Sequence, residues 1–155
     1  MAKPKVTSQA LVQGLQEDLA REYQAIIQYT IFSQVLDGAE NMAIAKELEK
    51  HAHQELDHAL RIARQLDYFG AYPTHQPKPI QTPKDAKAML RADLQAEDQT
   101  IKSYRERIRQ ATELGEFALA EDLEQIIKQE QDHQIELATA LGVTADPSRR
   151  KGGKR

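Results

Sequence analysis

Apolar residues recur along this chain in steps that alternate between three and four positions, the spacing of helices packed nearly side by side. Four segments of roughly 25–30 residues carry that spacing. Asp37-Gly38 separates the first two segments, a stretch from Gly70 to Thr82 with three prolines separates the second from the third, and Leu114-Gly115 separates the last two. Leu141-Gly142 closes the fourth. The pattern therefore predicts four long helices.

Each predicted helix has one stripe of mostly apolar residues, its seam, which faces the other helices. The seam of the first helix consists of Leu15, Leu19, Glu22, Ile26, Tyr29, Ser33 and Leu36. The third helix is predicted to begin at Thr82 as N-cap, with Pro83 at its first position.

The lengths of the connections predict the topology. Short turns join helices 1 and 2, and helices 3 and 4, so each of these pairs is antiparallel. About 13 extended residues between helices 2 and 3 reach ~43 Å at ~3.3 Å each, which matches the ~42 Å length of a 28-residue helix at 1.5 Å per residue. We therefore expect an all-α four-helix bundle with one long crossover between helices 2 and 3.

Four glutamates occupy seam positions where a helix of this kind normally buries leucine. Glu22 is followed 33 positions later (55 − 22) by Glu55-x-x-His58, and Glu97 is followed 33 positions later (130 − 97) by Glu130-x-x-His133. Residues at i and i+3 share a helix face, so each histidine reaches the same point as its glutamate. The spacing also suggests that each helix pair is one half of a pseudo-symmetric structure.

A pair of metal ions explains this arrangement best. No Lys or Arg lies on the predicted seams, and four buried carboxylates without compensation would cost several kcal/mol each or would have to be protonated. We therefore predict a dinuclear site in which Glu55 and Glu130 bridge the two metals. Each metal then takes one further glutamate and one histidine. The ligands are Glu22, Glu55, His58, Glu97, Glu130 and His133. Oxygen-rich ligands with two imidazoles suit iron or manganese, with zinc as a competitor.

Three further seam residues lie close to these ligands. Tyr29 and Tyr104 each follow a seam glutamate by seven positions, which is two turns. Tyr29 is our candidate catalytic residue, as a hydrogen-bond partner of the metal site or an electron donor to it, whereas Tyr104 is interpreted as a core aromatic residue. His51, one turn before Glu55, is interpreted as a packed histidine or part of an access route.

Composition and charge limit the other possibilities. The chain of 155 residues has no cysteine, which excludes zinc ribbons and iron–sulfur clusters. No apolar run approaches the ~18 residues of a membrane span, and no secretory signal is visible, so a cytoplasmic protein without membrane contact is expected.

We divide the chain into an N-terminal extension (1–8), a helical bundle (9–142) and a C-terminal tail (143–155). Five of the last seven residues are basic, so the tail is expected to be disordered and is a possible DNA-binding segment.

At the predicted ligands the chain resembles the bacterioferritins, which are ferritin-like diiron proteins. The segment from Glu22 to Tyr29 resembles their first ligand segment, Glu55-Leu-Asp-His58-Ala the second, Met89 to Glu97 the third, and Glu130-Gln-Asp-His133 the fourth. The resemblance covers roughly residues 10–141. It implies a ferritin-like fold with two iron ions as cofactors. It also implies iron and peroxide or oxygen as reactants, and assembly of the subunits into a shell.

Departures from the bacterioferritin pattern narrow these expectations. Leu56 occupies the position of their haem-ligating methionine, so no haem is expected. Lys50 and Gln54 stand where some bacterioferritins have the His and Asp of an inner-surface iron site. Only residues 142–155 follow Leu141, so their fifth helix is not expected. In this the chain resembles the Dps-like mini-ferritins, which implies a 12-subunit shell.

Three functions are compatible with this sequence. The first is a ferroxidase mini-ferritin that oxidises Fe(II) with peroxide or oxygen and stores iron. The second is a diiron or dimanganese peroxidase or catalase that stores nothing, as in rubrerythrin-like proteins. The third is a DNA-binding stress protector in which the basic tail is most important.

Overall fold

The computed structural model describes residues 5–145 and contains four long α-helices within them. They are α1 (Ser8–Val35), α2 (Met42–Tyr68), α3 (Ala86–Glu113) and α4 (Phe117–Leu141), of 28, 27, 28 and 25 residues. No strand occurs among the described residues, so the predicted all-α class is confirmed. In the same part of the chain, no helix combines the length and apolar character that a membrane crossing requires.

The ends of the helices follow from local side-chain and backbone chemistry. The Thr7 hydroxyl accepts a hydrogen bond from the Ala10 backbone N–H at 3.0 Å and caps α1. Gly142 adopts φ 70° after α4, a left-handed conformation that glycine tolerates best. The predicted start of α3 is wrong by three residues: Asp85, not Thr82, is the N-cap, because its carboxylate accepts the Ala88 N–H at 3.0 Å.

The long connection between α2 and α3 runs along the outside of α1. At its start, the Gln16 side chain donates to the Tyr72 carbonyl at 2.9 Å, and near its end the Gln81 backbone N–H donates to Gln28 at 3.0 Å. The connection therefore travels with α1 for more than three turns, and α3 begins near the C-terminal end of α1. Helix α1 packs along α2, and α3 packs along α4, so the predicted crossover topology is confirmed.

Apolar residues form two clusters, one towards each end of the bundle. One cluster contains Leu11, Leu15, Leu19, Ala59, Ile62, Leu66, Tyr104, Ala111, Leu119, Ala120, Leu123 and Ile126. The other contains Tyr29, Phe32, Leu48, Met89, Leu90, Ala92, Leu94, Leu137 and Ala138. In α1 the buried residue of the last turns is Phe32 rather than the predicted Ser33, whose hydroxyl donates to the Thr30 carbonyl. Along each helix, the predicted ligands lie between the two clusters.

A buried ion pair joins α1 and α3, and the sequence did not reveal it. Arg107 Nε donates to Asp18 Oδ2 at 2.7 Å, and both side chains are buried. Gly14 leaves the space for the guanidinium, since a Cβ at that position would lie 2.2 Å from Arg107 Cζ. Among the residues that the structure describes, Arg107 is a buried arginine. It directly precedes Ile108, which we place on the apolar seam of the third helix.

Candidate metal centre

The six residues predicted as metal ligands lie together in the middle of the bundle. Their side chains come from all four helices, and each residue is at most 2% exposed. They are Glu22 from α1, Glu55 and His58 from α2, Glu97 from α3, and Glu130 and His133 from α4.

His58 faces three of these carboxylates. Its Nδ1 lies 2.8 Å from Glu55 Oε2, 3.2 Å from Glu130 Oε1 and 3.5 Å from Glu22 Oε2. These four residues form one group in which a single ion would contact one atom of each.

His133 faces the second group. Its Nδ1 lies 3.1 Å from Glu55 Oε1, 3.2 Å from Glu130 Oε2 and 3.3 Å from Glu97 Oε1. Glu55 and Glu130 belong to both groups, and each directs one oxygen towards each histidine. This is the geometry that the prediction of two bridging and two terminal glutamates requires.

Two glutamines fix the orientation of the histidines, and sequence reasoning did not assign them a role. His58 Nε2 lies 2.6 Å from Gln129 Oε1, and His133 Nε2 lies 2.7 Å from Gln54 Oε1. An amide oxygen only accepts hydrogen bonds, so each Nε2 carries the proton, and the Nδ1 lone pair can point at a metal. The available signal was a repeat, because a glutamine precedes the glutamate of both Glu-x-x-His motifs.

Two tyrosines hold the terminal glutamates. The Tyr29 hydroxyl donates to Glu97 Oε1 at 2.5 Å, and the Tyr104 hydroxyl donates to Glu22 Oε1. Each hydroxyl therefore reaches across to the glutamate of the other helix, not to the glutamate two turns away on its own helix. Tyr29 is placed at the site as predicted, and Tyr104 contacts the site as well as packing in the core.

The electrostatics reflect four carboxylates that are buried close together. Burial, and then repulsion between neighbouring carboxylates, raises the pKa of Glu55, Glu97 and Glu130 to about 7. Burial also acts to raise the pKa of Glu22, but the hydrogen bond and charge of His58 outweigh it and the net pKa is lowered.

The histidines respond in the opposite direction. Burial acts to lower the pKa of His58, but hydrogen bonds to Glu130, Glu22 and Glu55 raise it well above its usual range. Carboxylates raise the pKa of His133 in the same way. Without metal, the cluster thus holds its protons strongly.

Several carboxylate oxygens of the cluster make no hydrogen bond, which favours metal ions as their partners. Oε2 of Glu22, of Glu97 and of Glu130 are buried without a hydrogen bond, although a histidine Nδ1 lies 3.5 Å from the first and 3.2 Å from the last. A buried carboxylate oxygen without a partner is costly. A cation between the histidines and carboxylates would neutralise these oxygens, so the residues present suit two cations of the predicted kind.

His51 lies beside the cluster and joins it to a more exposed surface. Its ring stacks on His133 with centroids 4.0 Å apart and meets Tyr29 edge-on at 5.0 Å. His51 Nε2 lies 2.5 Å from Glu136 Oε2. Burial, and then the charge of His133, lowers the pKa of His51 to about 4, so its ring is neutral at pH 7.

A four-helix bundle with a glutamate from each of two helices and Glu-x-x-His from each of the other two is the arrangement of ferritin-like diiron-carboxylate proteins. Residues 12–145 match the family described as "Ferritin-like domain". This match spans most of the chain, and the chain belongs to the ferritin-like family.

Three relatives are similar over most of their length. A bacterioferritin of Brucella melitensis is 25% identical over 144 residues, which are 92% of this chain and 86% of that protein. A ferritin-like diiron-carboxylate protein of Bacillus anthracis is 34% identical, with a TM-score of 0.83 over 90% of this chain and 99% of that one. Rhodobacter capsulatus bacterioferritin, solved with a metal-free dinuclear site and haem iron, shares the fold (TM-score 0.80, 23% identity, 88% and 86% covered).

Proposed function

We propose that this protein is a ferroxidase mini-ferritin. It binds two Fe(II) ions at the six-residue centre, oxidises them with hydrogen peroxide or oxygen, and stores or detoxifies the iron inside a shell. The ligands in this proposal are Glu22, Glu55, His58, Glu97, Glu130 and His133, with manganese or zinc as possible alternative metals.

The observation that carries this proposal is the orientation of Glu55 and Glu130. Each directs one oxygen towards His58 and the other towards His133. Two carboxylates in this position would hold two cations close enough to act together. Two Fe(II) ions supply two electrons, which reduce one hydrogen peroxide and two protons to two waters.

The chain itself manages the protons of the site. Below about pH 7, Glu55, Glu97 and Glu130 hold protons in the metal-free protein, because burial raises their pKa to about 7, and they release these protons when cations bind. Burial, and then the charge of Glu97, raises the pKa of Tyr29 well above its usual range, so the Tyr29 hydroxyl stays protonated and donates a hydrogen bond to Glu97. We propose Tyr29 as the catalytic residue that orients Glu97 and can donate an electron.

Replacement of Glu55 by Ala tests the proposal. The variant loses one of the two bridging carboxylates, so we expect fast Fe(II) oxidation to disappear. The measurement is the rise of ferric absorbance after stopped-flow mixing with peroxide. Glu49→Ala is the matched control, because Glu49 is an exposed glutamate of the same helix outside both candidate groups. If Glu55→Ala oxidises Fe(II) as fast as the control, the ferroxidase proposal is wrong.

Iron retention separates this function from its main alternative. A storage protein keeps the oxidised iron bound during gel filtration, whereas a non-storing peroxidase or catalase consumes peroxide and retains no iron mineral. Protein that destroys peroxide without retaining iron would overturn the storage part of the proposal while leaving the dinuclear site intact.

Three finer expectations belong to the same proposal. Assembly into a closed shell of 12 subunits follows from the resemblance to mini-ferritins. The expectation of no haem rests on Leu56, and a Soret band in protein grown with haem would contradict it. DNA binding by residues 149–155 concerns a segment outside the described residues. It stays a prediction, which removal of that segment would test in a low-salt mobility shift.

A further inference from the structure

A second cluster of ligand-type side chains lies one helical turn from the dinuclear centre. Glu47 and His51 are four positions apart on α2, and Glu136 faces them from α4. One ligand-type atom of each residue lies within 4.8 Å of the others. None of these three residues belongs to either group of the dinuclear centre.

Two potential metal-ligating atoms of this cluster have no hydrogen-bond partner. His51 Nδ1 and Glu47 Oε2 are both buried, and neither makes a hydrogen bond. Lys50 Nζ is 3.9 Å from Glu47 Oε2, beyond hydrogen-bond reach, and that lysine side chain is 61% exposed. A fully buried imidazole with a free nitrogen beside two carboxylates needs a proton or a cation.

The pseudo-symmetry of the bundle provides an internal comparison. A shift of 75 positions (130 − 55) relates the two halves. Under this shift, Asp122 is equivalent to Glu47 (47 + 75) and Ile126 is equivalent to His51 (51 + 75). The position equivalent to Glu136 is Arg61 (136 − 75), which donates to Asp122 at 2.8 Å. Arg61 thus neutralises Asp122. Beside Glu47, the equivalent positions hold a second carboxylate instead of the arginine and His51 instead of the apolar residue.

We propose that Glu47, His51 and Glu136 form a third metal site, which binds one divalent transition-metal ion independently of the dinuclear centre. Imidazole with carboxylates suits Zn²⁺, Fe²⁺ or Mn²⁺ better than Ca²⁺, which prefers oxygen ligands alone. The Glu47 and Glu136 side chains are 43% and 37% exposed, so an ion reaches the site from solvent. Because His51 stacks on His133, the ion would stand beside the dinuclear centre.

Counting bound Zn²⁺ on the metal-free, full-length protein tests this site. We expect three ions per subunit in the unmodified chain by equilibrium dialysis with elemental analysis, and two in Glu47→Gln/Glu136→Gln. The matched control is Glu49→Gln/Glu124→Gln, which removes the same charge from exposed positions of the same two helices and should still bind three ions. Crystals of the unmodified protein soaked in Zn²⁺ should show an anomalous peak beside His51, a measurement that needs no variant to fold.

The outcomes separate this site from the proposed function. Two ions in the unmodified chain with no peak beside His51, or three ions in both double variants, would overturn the third site. One ion in the unmodified chain and none in Glu47→Gln/Glu136→Gln would establish the third site and contradict the dinuclear one.

Discussion

At the scale of single residues, the six candidate ligands were predictable because each is a polar residue on an otherwise apolar stripe. A buried glutamate is costly and therefore conspicuous in a seam. Gln54 and Gln129 were not predicted to act at the site, since a glutamine beside a seam is ordinary on a helix surface. Their contribution is visible only when the histidine rings have positions and their Nε2 atoms require acceptors.

Gln129→Leu should weaken metal binding in the half of the centre that contains His58. The variant removes the acceptor of His58 Nε2–H, so the ring is no longer held with Nδ1 towards the carboxylates. Loss of such an outer partner costs about 10–100-fold in metal affinity. Competition titration of Zn²⁺ against a chelator should show this loss in one of the two tightly bound ions.

Two comparison variants make that measurement specific. Gln131→Leu makes the same substitution at an exposed position of α4 and should leave affinity unchanged. Gln129→Glu retains an acceptor and should restore binding. Equal affinities for Gln129→Leu and Gln131→Leu would show that Gln129 does not position His58.

At the scale of elements, the four helices and the crossover were predictable, but their details were not. The spacing of apolar residues determines which faces meet, and glycines and prolines mark where helices stop. The start of α3 was missed because Thr82-Pro83 and Asp85 are both acceptable helix starts, and only the bond from Ala88 to Asp85 decides between them. The contact of Gly14 with Arg107 joins two helices far apart in sequence, which no local pattern reveals.

Gly14→Ala should destabilise the protein although alanine favours a helix. In an isolated helix the change is worth about 1 kcal/mol of stabilisation. Here the new Cβ would lie 2.2 Å from Arg107 Cζ, so the guanidinium must move and its bond to Asp18 is broken, while Arg21 Nη1 stays 3.1 Å from Asp18 Oδ1. Breaking a buried pair costs about 3–5 kcal/mol. Because Arg21 remains beside Asp18, the lower end of that range applies, and the helix propensity of alanine offsets about 1 kcal/mol of it. We therefore expect a net loss of about 2 kcal/mol in the free energy of unfolding, measured by denaturant titration.

A double-mutant cycle isolates the cause. In an Arg107→Met background the guanidinium is absent, and Gly14→Ala should then be neutral or stabilising by up to about 1 kcal/mol. The same loss of stability in both backgrounds would show that the close approach of Gly14 to Arg107 is not responsible.

At the scale of the whole molecule, the charged centre links stability to pH. Glu55, Glu97 and Glu130 have a pKa of about 7 in the fold, against 4.5 for an ordinary glutamate. Between pH 4.5 and 7 the folded state therefore binds more protons than the unfolded state, so the stability that these protons provide is lost as pH rises through about 7. The raised pKa of His58 and His133 extends the loss above pH 6.5.

Metal-free protein should thus have a lower Tm at pH 8 than at pH 5.5. Calorimetry with a chelator measures this trend. Saturating Zn²⁺ should reverse it, because deprotonated ligands bind the metal more tightly. A metal-free Tm that rises steadily between pH 5.5 and 8 would contradict the proton-holding centre.

The predicted assembly into a shell can be tested at exposed apolar positions of the helices. Leu60 on α2 is 62% exposed, Tyr68 77% and Phe117 67%, although each subunit buries its own seams. Exposed apolar side chains of this size favour contact with another protein surface.

Because of these exposed side chains and of the resemblance to mini-ferritins, we expect a particle of about 210 kDa by light scattering, which is 12 copies of the 17.5 kDa chain. Leu60→Asp should reduce that mass. A particle twice as large would contradict the subunit number alone, while a monomer or dimer at working concentration would remove the enclosed space that storage needs and favour the non-storing peroxidase.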